Sequence, residues 1–253
     1  MGMQDFETLL KGSAKSHGHL CAGQVVGVRM AMLGCDLIGL DKPDSLPQVK
    51  KIIVYVEIDR CATDAISYVT GVKLGRRSLK FVDNGIMAAT FVNIETDRAF
   101  RIVCTEESRD LAKTYAPGIR DKHLQQLEAY KIMPTAALFT VQEVKVDVPI
   151  SDMPGPTRFK AICHRCKTMV RDKREVYKNG QVLCRACAFG TYYLPLDQSK
   201  SRIPHPTQRT LERPAVNTAM GCQDKKPYSV NKLFNVASGK LCKIEERLPK
   251  NLD

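Results

Sequence analysis

Two closely spaced pairs of cysteines place the strongest constraint on the fold of this chain. Cys163 and Cys166 are separated by two residues, as are Cys184 and Cys187, and seventeen residues lie between the pairs. Two cysteines at this spacing can point both sulfurs at one cation from a tight turn, and two such turns complete a tetrahedral sulfur shell around Zn²⁺. Protein ligands would then fill all four positions, which favours a structural zinc site over an iron site or a redox pair.

The residues around these cysteines predict a small accessory unit at residues 161–195. The segment between the pairs contains Lys178-Asn179-Gly180, a good hairpin turn, and the second pair opens a short apolar segment at residues 186–194. A hairpin followed by a cysteine pair at a helix start is typical of a treble-clef zinc finger. We interpret His164, inside the first pair, as a surface residue.

A second group of metal-binding residue types lies near the amino terminus, where His17, His19 and Cys21 fall within five residues. In an extended segment the three side chains would share one face, and in a helix His17 and Cys21 would align at i and i+4. Residues 22–40 are mostly apolar and predict a buried helix, so that Cys21 lies at a helix start, where unpaired amides favour a thiolate. The alternative is that Cys21 is a small buried residue and the histidines are surface groups.

Cys61 has the same arrangement. Residues 51–60 are rich in β-branched side chains and predict a strand, whereas residues 62–70 predict a short helix that ends at Gly71. Cys61 falls at the junction, with Asp64 three residues later. Strand-to-helix junctions commonly carry catalytic or ligand groups, although a buried cysteine and a capping carboxylate would fit the pattern equally well.

The residues at 17–23, 27–31, 61–66 and 70–75 together resemble the FmdE family, which takes its name from one of the subunits of formylmethanofuran dehydrogenase. The resemblance extends over about residues 6–149. It implies an α+β core, usually a homodimer, in which paired His, Cys and Asp positions form a metal or active site. By this match the candidate residues are His17, His19, Cys21, Cys61 and Asp64.

Two positions depart from the family pattern. A proline usually follows the first cysteine, where this chain has Ala22, and a further cysteine follows the Thr-Gly pair, where it has Val72. The second difference weakens any mechanism that needs a third core thiol. The family is tied to molybdenum or tungsten formylmethanofuran dehydrogenase through gene association, so the resemblance implies an accessory protein or subunit and no defined reaction.

The rest of the first 150 residues predicts the remainder of the core. Asn84-Gly85 is a type I′ hairpin signal between two strand-like runs. Strands and helices alternate without a regular βαβ repeat, which favours an α+β fold with an antiparallel or mixed sheet and packed helices. The predicted strands are 79–83, 86–95, 99–105 and 136–148, and the predicted helices are 106–115 and 121–133.

Charge and proline content divide the chain. Residues 1–154 contain 19 Lys or Arg and 19 Asp or Glu, whereas residues 155–253 contain 20 and 8, so the net charge of +12 belongs to the second part. We predict a core at 1–150, a proline-rich linker at 151–160, the zinc finger at 161–195 and an extended basic tail at 196–253. Cys222 and Cys242 in the tail have no spacing that we can interpret.

The composition also limits the cellular location. Charged residues break every apolar run before it reaches the roughly 18 residues that a membrane span needs, and the first fifteen residues carry no secretory signal. We therefore expect a cytoplasmic protein. In that reducing compartment ten cysteines favour metal and thiol chemistry over disulfides.

Three functional hypotheses follow. The favoured one is an FmdE-like accessory protein or subunit of a molybdenum or tungsten one-carbon oxidoreductase, with a structural zinc ion in the finger and a second metal ion or a thiol pair in the core. The second is a zinc-finger binding or regulatory module whose basic half binds nucleic acid or an acidic partner protein, although the usual DNA- and RNA-binding patterns are missing. The third is a structural subunit whose tail holds a larger complex together.

Overall fold

The amino-terminal part of the chain folds into three helices and one strand. Asp5 begins the first helix because its carboxylate accepts a hydrogen bond from the Thr8 backbone N–H at 2.9 Å, and Gly18 ends it with a left-handed φ of 101°. The computed structural model describes residues 2–194 and 196. Its first elements are α1 (Phe6–His17), α2 (Ala22–Leu37), β1 (Ile52–Val56) and α3 (Cys61–Thr70).

The next elements complete a mixed sheet. The strands lie in the order β2-β1-β3-β4-β5, in which β1 pairs parallel with β2 and the other neighbours are antiparallel. A mixed sheet with packed helices confirms the predicted α+β class. After a 3-10 turn at Leu74–Arg76, these elements are β2 (Leu79–Phe81), β3 (Ala88–Asn93), β4 (Ala99–Cys104), α4 (Glu107–Tyr115), α5 (Lys122–Ile132), α6 (Thr135–Leu138) and β5 (Phe139–Glu143).

The core lies between the sheet and α2. All six residues of β3 are buried, and α2 is buried on nearly every side, as its mostly apolar sequence predicts. Gly34 of α2 faces the ring of Phe91 on β3 so closely that a Cβ atom would overlap it. The other face of the sheet, around Ile53 and Val92, packs against apolar residues of the extended segment 144–153.

The predicted hairpin at Asn84-Gly85 is wrong, because β1 lies between β2 and β3. The Val82 N–H donates to the Val56 carbonyl and the Ile86 N–H donates to the Glu57 carbonyl, so this segment crosses the end of β1. Gly85 has a φ of 69°, but Asn84 keeps a negative φ and donates its side-chain amide to Glu57. A type I′ turn needs positive φ at both residues.

The predicted strand at 136–148 is wrong in its first residues. Pro134 precedes a single helical turn, α6, and only β5 has strand pairing. The Ala137 and Leu138 N–H groups both donate to the Pro134 carbonyl, which holds this turn in helical geometry. The chain becomes extended at Phe139, where β5 begins to pair with β4.

Two short antiparallel hairpins and one helical turn form the cysteine-rich unit. In the second hairpin Asn179 and Gly180 have φ values of 51° and 72°, as a type I′ turn requires. The elements are β6 (Lys160–Ile162), β7 (Met169–Arg171), β8 (Val176–Lys178), β9 (Gln181–Leu183) and α7 (Arg185–Phe189). The predicted basic tail, apart from residue 196, and its two cysteines Cys222 and Cys242 lie outside the described residues.

A cluster of ion pairs joins this unit to the edge of the sheet. Asp152 Oδ1 lies 2.5 Å from Arg174 NH2, 3.6 Å from Arg77 NH2 and 3.9 Å from Lys80 Nζ. Arg77 NH1 lies 2.5 Å from Asp172 Oδ2. Arg77 lies just before β2 and Lys80 lies in it, so both belong to the core. Asp172 and Arg174 follow β7 and belong to the cysteine-rich unit. Asp152 therefore lies at the junction of the two.

None of the helices in the described ranges combines the length and the apolar character that a membrane crossing requires.

Candidate functional site

A tight turn between α1 and α2 brings His17, His19 and Cys21 together. His17 is the last residue of α1, Gly18 reverses the chain in the left-handed conformation, and Cys21 is the residue before α2. The segment is thus neither one strand nor one helix. One ligand atom from each of the three side chains lies within 4.8 Å of the other two, which is close enough for one ion to bind all three.

His17 is oriented by Asp64 of α3. Its Nδ1 lies 2.8 Å from Asp64 Oδ2, which fixes the proton on Nδ1 and leaves the lone pair on Nε2. That Nε2 atom is buried and has no hydrogen-bond partner among the described residues. A buried polar atom without a partner is costly, and histidines that bind a metal usually donate their other ring N–H to a carboxylate, a backbone carbonyl or water, as His17 does to Asp64.

Cys61 lies beside Cys21 and outside the group of three converging atoms. It is the first residue of α3, as the strand-to-helix pattern predicts. Burial raises the pKa of the Cys61 thiol, and the neighbouring Cys21 thiol raises it further. The geometry therefore divides the five candidates: His17, His19 and Cys21 converge, Asp64 orients His17, and Cys61 adjoins Cys21.

Two glycines allow the helix starts that carry these thiols to come close. A Cβ atom at Gly23 would lie 2.9 Å from Cys61 Cβ and 3.7 Å from Cys21 Sγ. A Cβ atom at Gly27 would lie 2.5 Å from the Ala62 carbonyl oxygen. Because atoms of α3 occupy this space, α2 and α3 can contact each other only with glycine at both positions.

Gln24 and Ser13 form a buried polar connection behind the site. Gln24 is 0% exposed and Ser13 is 1% exposed. The Ser13 hydroxyl donates to Gln24 Oε1, and Gln24 Nε2 donates to the Cys61 carbonyl at 2.7 Å. Neither residue is among the candidates that the sequence motifs predict, although a glutamine near the start of an otherwise apolar helix is a visible anomaly.

The four cysteines of the carboxyl-terminal unit also converge. One sulfur from each of Cys163, Cys166, Cys184 and Cys187 lies within 4.8 Å of the others, and the Cys166 and Cys184 sulfurs are 3.7 Å apart. The arrangement fits a small zinc finger and could hold a metal ion such as zinc. His164 is exposed.

The backbone around Cys163 favours its thiolate. Burial alone would raise the pKa of the Cys163 thiol, but the N–H groups of Cys166, Cys184 and Arg165 outweigh burial and lower that pKa to about 6. Metal binding requires a deprotonated sulfur. The amides that surround Cys163 therefore prepare this sulfur for a cation.

Comparison with known proteins connects the first cluster to one family. A sequence model of the family described as "FmdE, Molybdenum formylmethanofuran dehydrogenase operon" matches residues 16–145. This range includes His17, His19, Cys21, Cys61 and Asp64 and ends before the four clustered cysteines.

Two further proteins resemble parts of the chain. A probable S-adenosyl-L-methionine-binding protein of Archaeoglobus fulgidus is 30% identical over 100 residues, which are 40% of this chain and only 27% of that protein. A solved structure of a tungsten formylmethanofuran dehydrogenase FmdE-like protein from Syntrophus aciditrophicus covers 77% of this chain and 100% of its own, with 15% identity and a TM-score of 0.49.

Proposed function

The chain belongs to the FmdE family, and we propose from this premise that it is a metal-dependent accessory protein or subunit of a molybdenum or tungsten formylmethanofuran dehydrogenase or a related one-carbon oxidoreductase. Two observations carry the metal-dependent part: the ligand atoms of His17, His19 and Cys21 converge, and Nε2 of His17 is buried without a partner among the described residues. The family description supports the association with the oxidoreductase.

The core site is proposed to hold one ion through His17 Nε2, a ring nitrogen of His19 and Cys21 Sγ. Two imidazoles and one thiolate form a mixed nitrogen and sulfur set of the kind that binds zinc and other borderline or soft transition metals. Asp64 keeps the proton of His17 on Nδ1 and the lone pair on Nε2. An ion bound there would supply Lewis acidity, and Cys61 is placed either to complete its coordination or to serve as a thiol partner of Cys21.

The finger at residues 161–195 is proposed to be structural, with zinc bound by Cys163, Cys166, Cys184 and Cys187. Three of these cysteines are almost completely buried, and four sulfur ligands leave no coordination position for a substrate. We propose that the linker at 151–160, whose last residue begins β6, connects it to the core at 1–150. The homodimer and the cytoplasmic location stay predictions.

Elemental analysis of the full-length protein tests both sites. The wild type should contain about two ions per chain, because the two clusters are separate. Cys21→Ala and Cys163→Ala should each lose one ion, and Cys35→Ala, which changes a fully buried cysteine outside both clusters, should retain both. A single ion that is lost only in Cys163→Ala would overturn the core metal site.

If the core site held no ion, the proximity of Cys21 and Cys61 would support a thiol pair instead. The close approach of both side chains to Gly23 is the observation that favours it, since a Cβ atom there would lie 2.9 Å from Cys61 Cβ and 3.7 Å from Cys21 Sγ. Treatment with oxidised glutathione should then convert two free thiols into one disulfide, and the dithiothreitol-reduced protein should recover both. Cys61→Ser should abolish this paired loss.

One exposed face of the finger supports a second candidate function, the binding of nucleic acid. Lys160 and Arg171 lie directly opposite each other on β6 and β7, and neither has an acidic partner among the described residues. Two like charges in this position repel each other, and an anion would relieve the repulsion. The next pair on the same face, Ile162 and Met169, is 60% and 41% exposed.

Salt dependence tests this second function. If the face binds nucleic acid, the association constant for single-stranded RNA or DNA should fall steeply with salt, and the slope should decrease in a variant with both Lys160→Ala and Arg171→Ala. If Cys21→Ala still binds the nucleic acid, this binding does not depend on the core site. Absence of binding to either polymer would overturn this second function.

A further inference from the structure

One buried side chain connects the three helices that carry the core site. Gln24 lies in the first turn of α2 and is completely buried. Its Oε1 accepts a hydrogen bond from Ser13 of α1, and its Nε2 donates to the carbonyl of Cys61, the first residue of α3, at 2.7 Å. His17 ends α1, Cys21 precedes α2, and Cys61 begins α3.

A polar side chain at this position needs an explanation beyond packing. Burying an amide is unfavourable unless both of its polar ends have partners, and a buried serine hydroxyl carries a similar cost. An apolar side chain of the same volume at position 24 would fill the space without this requirement. The chain instead pairs both ends of Gln24 between two different helices.

The hydrogen bond to Cys61 acts at the start of α3, where this helix meets α2. We call the contact that Gly23 and Gly27 make with α3 the seam. Gly23 and Gly27 bring α2 and α3 into close contact, and the hydrogen bond adds a preferred distance and direction to this contact. Gln24 Nε2 fixes the position of the first residue of α3 along this seam. The Cys61 sulfur then keeps its place beside Cys21.

We infer that Gln24 is a positioning residue for the core site, because it holds Cys61 against Cys21 through the Cys61 carbonyl. Where it concerns metal affinity, this inference rests on the proposed function, with Cys61 completing the coordination of the core ion. Residues that orient the ligands of a metal typically change affinity 10–100-fold when they are replaced. We expect the same effect from Gln24, although its side chain contacts no metal-binding atom.

Cobalt binding to the full-length protein provides the test. Gln24→Met replaces the amide with an unbranched apolar side chain of similar length. It should weaken Co²⁺ binding at the core site about 10–100-fold and reduce the sulfur-to-cobalt charge-transfer absorption. Subtracting the spectrum of Cys21→Ala removes the contribution of the finger.

Variants of Ser13 separate positioning from stability. Ser13→Ala removes the hydrogen bond to Gln24 Oε1, so the unfolding free energy should fall. It leaves the bond from Gln24 to Cys61 in place, so the metal affinity of the core site should stay within about twofold of the wild type. The double variant Ser13→Ala with Gln24→Met removes the unpaired hydroxyl and should recover stability without recovering affinity. Affinities that follow stability in all three variants would overturn the inference.

A second readout does not depend on metal. In the metal-free protein, iodoacetamide should alkylate Cys61 at least about fivefold faster in Gln24→Met than in the wild type, because the start of α3 has lost its hydrogen bond to Gln24. Peptide mapping by mass spectrometry measures the rate at Cys61. Ser13→Ala should keep the wild-type rate. Equal alkylation rates in Gln24→Met and the wild type would overturn the inference. If the wild-type core bound no cobalt but Cys61 still reacted faster in Gln24→Met, only the proposed metal function would be overturned.

Discussion

Asp64 Oδ2 contacts His17 Nδ1 at 2.8 Å, although the two residues are 47 positions apart in the chain. The carboxylate is largely exposed, with 65% of its side-chain surface accessible, whereas the imidazole is 14% exposed. The histidine is therefore held from the solvent side, and its other nitrogen points inward. This one contact fixes both the tautomer of His17 and the direction of its lone pair.

Replacing Asp64 should weaken the core site without removing a ligand. Asp64→Ala should lower the affinity for Zn²⁺ or Co²⁺ about 10–100-fold, because His17 loses the group that orients it. Asp64→Asn should have a smaller effect, since its carbonyl oxygen can still accept from Nδ1. Competition titration with a chromophoric chelator measures the change. Wild-type affinity in Asp64→Ala would contradict this role.

The seam between α2 and α3 should tolerate no side chain at Gly27. A Cβ atom there would lie 2.5 Å from the Ala62 carbonyl oxygen and 2.6 Å from Ala65 Cβ. Gly27→Ala should therefore lower the unfolding free energy by about 1–3 kcal/mol or more, as overpacking does. Gly75→Ala is the matched control, because nothing lies within 4 Å of the added methyl group, and it should change stability by less than about 0.5 kcal/mol. Urea denaturation distinguishes the two, and similar values for both would show that the helices can separate.

Glu57 should make stability depend on acid. Arg101 donates two hydrogen bonds to its carboxylate, at 2.6 and 2.9 Å, and Asn84 donates a third. The hydrogen bonds from Arg101 lower the pKa of Glu57 against the effect of burial, and Asn84 adds to this lowering. The stabilisation of the fold by ionised Glu57 is complete above the pKa of about 4.3 that this carboxyl has in the unfolded chain. It is lost as the pH falls through the lower pKa of Glu57 in the folded protein.

Glu57→Gln should accordingly cost about 2–3 kcal/mol near pH 7, since it leaves charge-assisted hydrogen bonds unmade. The difference in unfolding free energy between the wild type and this variant should shrink between about pH 5 and pH 2. Glu95→Gln, which changes a 60% exposed carboxylate, serves as the control and should remain close to the wild type. A difference that does not change over this pH range would contradict the assignment.

Asp152 should determine how firmly the finger is held against the sheet. Asp152→Ala leaves Arg77, Lys80 and Arg174 without their shared carboxylate, so we expect faster amide hydrogen exchange in residues 160–189 and a loss of about 1 kcal/mol. High salt should reproduce part of this effect in the wild type. Asp147→Ala is the control, because that side chain is 93% exposed. Exchange in the finger that is unaffected by Asp152→Ala would show that other contacts hold it.

Much of the fold follows from local patterns in the sequence. The Asn179-Gly180 turn and the end of α3 at Gly71 depend on the conformational preference of one or two residues, and the start of α2 after Cys21 follows from an apolar run. Each is found where it is predicted. The Asn84-Gly85 hairpin fails for the opposite reason. β2 pairs with β1 because β1 is buried between two neighbouring strands. The turn preferences of Asn84 and Gly85 do not encode that pairing.

The candidate site shows the same division. The residue types and their positions near helix starts are visible in the sequence, and these features predict candidates for metal binding. The bond between His17 and Asp64 and the connection through Gln24 join residues from different helices, and the first of these leaves Nε2 of His17 as the buried atom without a partner in the described residues. They depend on how the helices pack, and the sequence alone does not provide that arrangement.

The contact between α2 and α3 has a further consequence for the rigidity of the site. Around Gly27 the seam consists of Gly27, Ala62 and Ala65, and none of these residues has a side chain with alternative rotamers. Ordering the seam therefore costs no side-chain entropy, and heating it gives no rotamer changes that would alter its width. The distance between the helices that carry Cys21 and Cys61 is limited by this backbone contact, and the hydrogen bond from Gln24 then fixes the start of α3.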